Sequence, residues 1–143
     1  CYMVGTVAQN TQAIVTAIEN PRIDIISHPD AARIPIDYET IVDAAKENHT
    51  LLEVNNSSLD CLSSRVGAWK NLQTMLKLCE DRKVPVIADT DSHFADAVGV
   101  FDHVSVLFEE LDFPEELVIN RSVDLLKEEI KKHRMIRKIG KQG

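Results

Sequence analysis

The feature that most constrains this chain is a regular alternation of short apolar runs with longer stretches of helical periodicity. Residues 23–27, 50–55, 84–88 and 117–120 read as short strands rich in β-branched and aliphatic residues. Between and around them lie helical patterns. Asn10 or Thr11 is placed to cap a first helix running to about Glu19, with Ala13, Ile14, Ala17 and Ile18 inward. Asp37 is placed to cap a second helix over 38–48 that buries Ile41, Val42 and Ala45. A third helix is expected over 66–82 and a fourth over 103–111. Ser122 should then cap a C-terminal helix that turns Val123, Leu126 and Ile130 inward. Strands joined by helices imply right-handed crossovers and a mainly parallel sheet, so the fold class is α/β. Four strands make either a small open sheet or a consecutive arc of a larger barrel. A closed barrel takes about 200–250 residues, so a chain of 143 residues cannot close one alone.

Composition excludes several functions. A net charge of −7 argues against non-specific binding to nucleic acid or an anionic membrane surface. Seven of the 16 Lys and Arg residues fall between Lys127 and Lys141, but Glu128 and Glu129 interleave with them, as on a solvated helix face. No apolar run approaches the roughly 20 residues a spanning helix needs, and the opening Cys1-Tyr2-Met3 does not resemble a signal peptide. An opening without an initiator Met suggests a truncated or processed product. Cys1, Cys61 and Cys79 are odd in number, widely spaced and without a C-x-x-C pair, so a reducing cytoplasm is the expected location. Cys79 shares helical spacing with Trp69, Leu72, Met75 and Leu76, which predicts a buried thiol.

The chemistry-bearing residues cluster where strands run out. His28 follows the first strand in I-I-S-H-P, and Asp91 and His93 follow the third in T-D-S-H. Imidazole and carboxylate are the donors a borderline divalent ion prefers, and the carboxyl ends of strands are where α/β folds place their chemistry. In an extended segment Asp91 and His93, two residues apart, would point the same way. The same residues also make ordinary turns, and both readings stand on pattern alone. Asn55-Asn56-Ser57-Ser58 ends another strand, with groups able to orient a phosphate or to satisfy turn amides. Glu53 shares strand parity with Asn55 and, if it points inward, needs a partner or a metal. Arg65, just before a helix, is placed to fork onto an oxyanion or to form a surface ion pair. His49, His103 and His133 fall in helices or at helix ends and read as solvated or packing residues. There is no glycine-rich phosphate loop, dinucleotide fingerprint or Ser-His-Asp arrangement.

Four segments taken together resemble the PHP (polymerase and histidinol phosphatase) family, and within it the YcdX-like phosphatases. They are N-T-Q-A-I-V-T-A-I-E-N-P (10–21), D-I-I-S-H-P (24–29), L-E-V-N-N-S-S (52–58) and D-S-H (91–93), with F-P-E-E-L-V-I-N (113–120) fitting the C-terminal end. The resemblance implies a distorted TIM-like barrel and a multinuclear centre, typically of zinc or manganese, that hydrolyses phosphomonoesters. It implies that His28, Asp91 and His93 are metal ligands and that no side chain acts as nucleophile. Asn55, Asn56 and Ser57 match a pocket-lining segment, and Arg65 in S-R-V-G is similar to S-R-x-G, a phosphate contact. The family's opening H-x-H and T-D-H segments, with a further glutamate and histidine, have no counterpart here. The whole of 1–143 therefore resembles the C-terminal part of a PHP domain, taking a small phosphorylated substrate. It is expected to self-associate or to pair with an N-terminal portion. The alternative is a non-catalytic α/β binding or interaction module.

Overall fold

Side-chain caps fix where the first two helices begin. The computed structural model describes residues 5–60 and 65–139, so Cys1 and Cys61 lie outside the described residues. Helix α1 (Val7–Ile18) starts earlier than its sequence pattern suggests, because Thr6 and Gln9 form a reciprocal capping box. Asn10 and Thr11 are therefore inside the helix. Asn10 Nδ2 donates to the Gly5 and Pro35 carbonyls, and Thr11 Oγ1 accepts the Asp37 N–H at 2.9 Å. Helix α2 (Tyr38–Asn48) follows the expected Asp37 cap, which accepts the Glu39 N–H at 3.2 Å. Helix α3 (Ala68–Arg82) starts at Gly67, whose φ of 86° is open to glycine at little cost. Helices α4 (Asp102–Leu111) and α5 (Val123–Ile139) complete the set.

Three parallel strands run in the order β1-β2-β3: Ile25–Ile26, Leu51–Asn55 and Val86–Asp89. The class expected from sequence is thus observed, as a small parallel sheet with five helices. Strand β1 is shorter than expected because His28 turns into the left-handed region with φ 33°. Strand β3 begins two residues late. The Val84 N–H is taken by the Cys79 carbonyl at 2.8 Å, and Pro85 has no N–H to offer.

The fourth expected strand, 117–120, is not a strand. It forms two 3₁₀ turns, Glu115–Leu117 and Ile119–Arg121, with a single parallel bridge between Val86 and Val118. The Asn120 side chain stands in for the missing ladder. Its Oδ1 accepts the Ala88 N–H at 3.1 Å and its Nδ2 donates to the Ala88 carbonyl at 2.8 Å.

All five residues of β2 are buried, and the core closes around Leu52 and Val54 with Ile18, Ile41, Leu72, Leu76 and Leu107. Cys79 is fully buried as expected, and burial pushes its thiol up to about 12. Helix α5 departs from its apolar pattern. Val123 is 67% exposed, whereas Glu129 and His133 are buried. No helix among the described residues is long and apolar enough to cross a membrane.

Candidate functional site

The parallel sheet delivers three polar segments to one edge, because every strand ends on the same side. Strand β1 leads to His28, β2 to Asn55 through Ser58, and β3 to Asp89 through His93. The backbone marks two of these residues. Five described non-glycine residues have positive φ, and three of them, His49, Lys83 and Asp112, end helices in the usual left-handed cap. The other two are His28 (φ 33°) and Asp91 (φ 47°), both at strand ends. Backbone held in this region costs about 1–3 kcal/mol and concentrates at functional positions.

Strand β2 supplies the interior of the cluster. Asn55 is fully buried; its Oδ1 accepts the Ser58 N–H at 2.9 Å and its Nδ2 donates to Glu53 Oε2 at 3.3 Å. Glu53, 4% exposed, also accepts the His28 N–H. Its sequence-predicted partner is therefore a backbone amide. Burial raises the Glu53 carboxyl above its ordinary range, opposed by the His28 N–H and Asn55 and reinforced by the nearby Asp89 charge. Ser57 staples two strand ends, donating to the Thr90 carbonyl at 2.8 Å. Asn56 Oδ1 accepts the His103 and Val104 amides at 3.1 and 3.0 Å, which caps α4 from another strand.

Arg65 joins this cluster rather than the open surface. Its Nη1 donates to Ser58 Oγ at 2.6 Å and its Nη2 to Asp91 Oδ2 at 3.2 Å. The Asn55 amide, against the opposing pull of desolvation, and then the Arg65 guanidinium and the His93 ring hold the Asp91 carboxyl below its ordinary value. Because Asp91 is left-handed rather than extended, the same-face argument for Asp91 and His93 does not apply. Their proximity comes from the turn. Asp91 and His93 border a cavity of about 350 Å³ with Ser57, Phe94, Val100 and His103. His28 is exposed and borders a separate hollow of about 160 Å³ with Ile14 and Ile34.

Sequence reasoning missed Asp30. It is fully buried, and neither carboxylate oxygen completes a hydrogen bond. Burial holds its carboxyl above the ordinary aspartate range, with the Ser58 hydroxyl, the Arg65 charge and the His28 ring working the other way. Its only sequence signal is a carboxylate two residues beyond a strand-end histidine.

The donor chemistry of His28, Asp91 and His93 suits a divalent ion, and the unbonded Asp30 carboxylate is the kind of group a cation satisfies. Among the described residues, however, no three His, Cys, Asp or Glu side chains converge into a metal-holding group. The described residues thus form no self-contained metal centre.

Comparison with known proteins bears on this cluster. The chain is 40% identical over 120 residues to a protein of Clostridium novyi named probable phosphatase, covering 84% of this chain and 48% of the relative. A protein of the same name from Acetivibrio thermocellus is 39% identical over 132 residues, covering 92% and 54%. One from Caldanaerobacter subterraneus is 40% identical over 128 residues, covering 90% and 50%. The chain thus spans about half the length of the curated relatives it matches. No family model matches it.

Proposed function

We propose that this chain supplies part of a phosphomonoester hydrolase of the PHP type, the remainder of a TIM-like barrel being contributed by further sequence of the kind its relatives carry. The observation that carries this reading is the meeting of Arg65, Asp91, Ser58 and Asn55 at the carboxyl edge of a parallel sheet. The chain that builds it is about 40% identical to proteins named as phosphatases.

In this reading His28, Asp91 and His93 are donors to a shared multinuclear zinc or manganese centre. When bound, such ions supply Lewis-acid charge for phosphoryl oxygens and a water nucleophile at neutral pH. The chain's own residues do the remaining work. Arg65 holds the Asp91 carboxylate, and Ser57 fixes the loop that carries it. Arg65 is a planar fork matched to a phosphate and exchanges Asp91 for the substrate oxyanion. The cavity beside Asp91 receives the alcohol portion of a small phosphorylated substrate.

The test is metal content together with hydrolysis. Zinc, manganese or iron should co-purify at stoichiometric levels with the protein carrying the full length of its relatives, and Asp91→Ala and His28→Ala should each lower that content. Unchanged metal in both variants overturns the metal assignment. The lack of a three-donor group within the described residues favours a second reading, a non-catalytic α/β module. That reading wins if the full-length protein neither holds metal nor cleaves 4-nitrophenyl phosphate when manganese is supplied.

The same reading sets the chain's partners. Strand β1 is an edge strand with Ile25 36% exposed, a face that a neighbouring strand would cover. The 143-residue chain should therefore self-associate in sedimentation experiments or need the rest of the barrel for activity. A monomer that hydrolyses phosphoesters by itself contradicts this.

A further inference from the structure

Among the described residues, the two most exposed large apolar side chains are Val66 (79%) and Phe94 (75%). Each belongs to one of the two loops that the Arg65–Asp91 contact joins. Val98 and Val100 are exposed as well, so three such side chains fall within residues 94–100, just beyond β3. An apolar side chain alone on a surface calls for no explanation, but a cluster of them beside a polar site does.

Phe94 does not owe its exposure to a slack loop. Its N–H donates to Ser92 Oγ at 3.2 Å, and its carbonyl accepts the Ser92 hydroxyl at 2.5 Å and the Ala97 N–H at 3.2 Å. The backbone is held at both ends of the residue, while the ring stays outside the core.

The cavity of about 350 Å³ beside Asp91 supplies what the ring can meet, because its lining divides by chemistry. Asp91 and His93 give it a polar part, and Phe94 and Val100 an apolar part. A pocket of this kind orients its ligand through a few polar groups and gains affinity from the apolar area it covers. Asp60 and Asp102 also border it and repel an alcohol portion that carries negative charge.

We propose that Phe94, with Val100, determines specificity: the cavity beside Asp91 takes phosphomonoesters of uncharged apolar alcohols, aromatic ones above all, and the Phe94 ring packs on that alcohol portion. The inference rests on the reading of Arg65 and Asp91 as part of a phosphoester site and adds the class of alcohol. A ring laid against Phe94 gains covered area and offset-stacked geometry together.

The experiment uses the protein carrying the full length of its relatives, with manganese supplied. Release of phosphate is followed from benzyl, ethyl and 2-aminoethyl phosphate, and binding of benzylphosphonate and ethylphosphonate by titration. Benzyl and ethyl phosphate release primary alcohols of similar acidity, so their difference reports recognition. The value of kcat/KM should favour the benzyl ester by about tenfold, the worth of one stacked ring. Phe94→Ser should remove most of that margin through KM, and Phe94→Leu should keep part of it. The thermal midpoint of Phe94→Ser should stay within about 2 °C of wild type, as for a surface substitution.

Equal use of the benzyl and ethyl esters overturns the proposal, as does a margin that Phe94→Ser leaves intact. Preference for 2-aminoethyl phosphate overturns it in favour of Asp60 and Asp102. A large fall in the midpoint of Phe94→Ser also overturns it, by showing the ring to be covered by the protein's own further sequence. If no ester is cleaved, yet benzylphosphonate binds more tightly than ethylphosphonate and Phe94→Ser loses that margin, the specificity role stands and the hydrolase reading falls.

Discussion

At the amino edge of the sheet, Thr50 donates to the Ile18 carbonyl at 2.9 Å, and the buried His133 donates from Nδ1 to the Asn48 carbonyl at 2.6 Å. Glu129, also buried, meets His49 at 2.8 Å and Lys132 at 2.9 Å. Even Asp24 Oδ1, which lacks a hydrogen bond, has His133 Nε2 3.5 Å away. The carboxyl edge of the same sheet carries two left-handed non-glycine residues, a buried carboxylate with no bond and an arginine shared between strand ends. One edge pairs its buried polar groups, all but Asp24 Oδ1 through hydrogen bonds, and locks α5 onto the sheet. The other leaves strain and charge in place, as sites of binding and catalysis do.

If the amino edge is structural, breaking it should produce the largest loss of stability. His133→Ala leaves the Asn48 carbonyl and the Asp24 carboxylate without their buried partner. The expected cost is about 3 kcal/mol, at the upper end for leaving a buried hydrogen-bonding group unsatisfied, read from the urea midpoint. A loss under about 1 kcal/mol would mean that α5 is held by something other than these bonds.

Acid should separate the two edges by sign. Lys132 and His49 outweigh burial and hold Glu129 below its ordinary pKa, so Glu129 stabilises the fold above that value and loses its contribution as pH falls through its folded value. Glu129→Gln should therefore be less stable than wild type near neutral pH, with the difference vanishing in acid. Asp30 behaves oppositely, because burial raises its pKa. Its ionised form penalises the fold at neutral pH, and protonation relieves that penalty. Asp30→Asn should be more stable than wild type at pH 7 by about 1 kcal/mol, with the gain shrinking as pH falls toward the ordinary aspartate value. Parallel pH profiles for the two variants would erase the contrast between the edges.

How legible each edge was in the sequence follows from the range of its interactions. Asp37, Ile41, Val42 and Ala45 announce α2 because a cap and an apolar stripe are local signals. Asp91 was visible as a strand-end residue and Arg65 as a residue just before a helix, but their meeting depends on the loops after β2 and β3 lying side by side. Asp30 carries only the faint signal of a carboxylate two residues beyond a strand-end histidine, and the backbone that carries it is fixed by Tyr38, Asn71 and Glu53 from three other elements. The same holds for Asn120, whose side chain replaces a strand that β-propensity alone favoured. On α5, periodicity counted apolar residues and so passed over Glu129 and His133, which are inward because they are paired.

The carboxyl edge is not purely functional, and Asn56 measures how far the contrast extends. Its Oδ1 satisfies two first-turn amides of α4, so Asn56→Ala should cost about 1 kcal/mol, the usual worth of a lost helix cap, in the same urea assay. An unchanged midpoint would assign Asn56 to the site alone.

His28 tests the opposite limit. Its ring is exposed, and its left-handed backbone suits glycine better than any other residue. In His28→Gly the relief of backbone strain is offset by the greater freedom of glycine in the unfolded chain, so stability should change by less than about 0.5 kcal/mol. The backbone N–H that bonds Glu53 is retained in this variant, so any loss of metal content or phosphate turnover in the full-length protein is a loss of the imidazole itself. A destabilisation of 2 kcal/mol or more, roughly that of a buried structural residue, would instead place His28 among the residues that hold the fold together and return the carboxyl edge to the same rule as the amino edge.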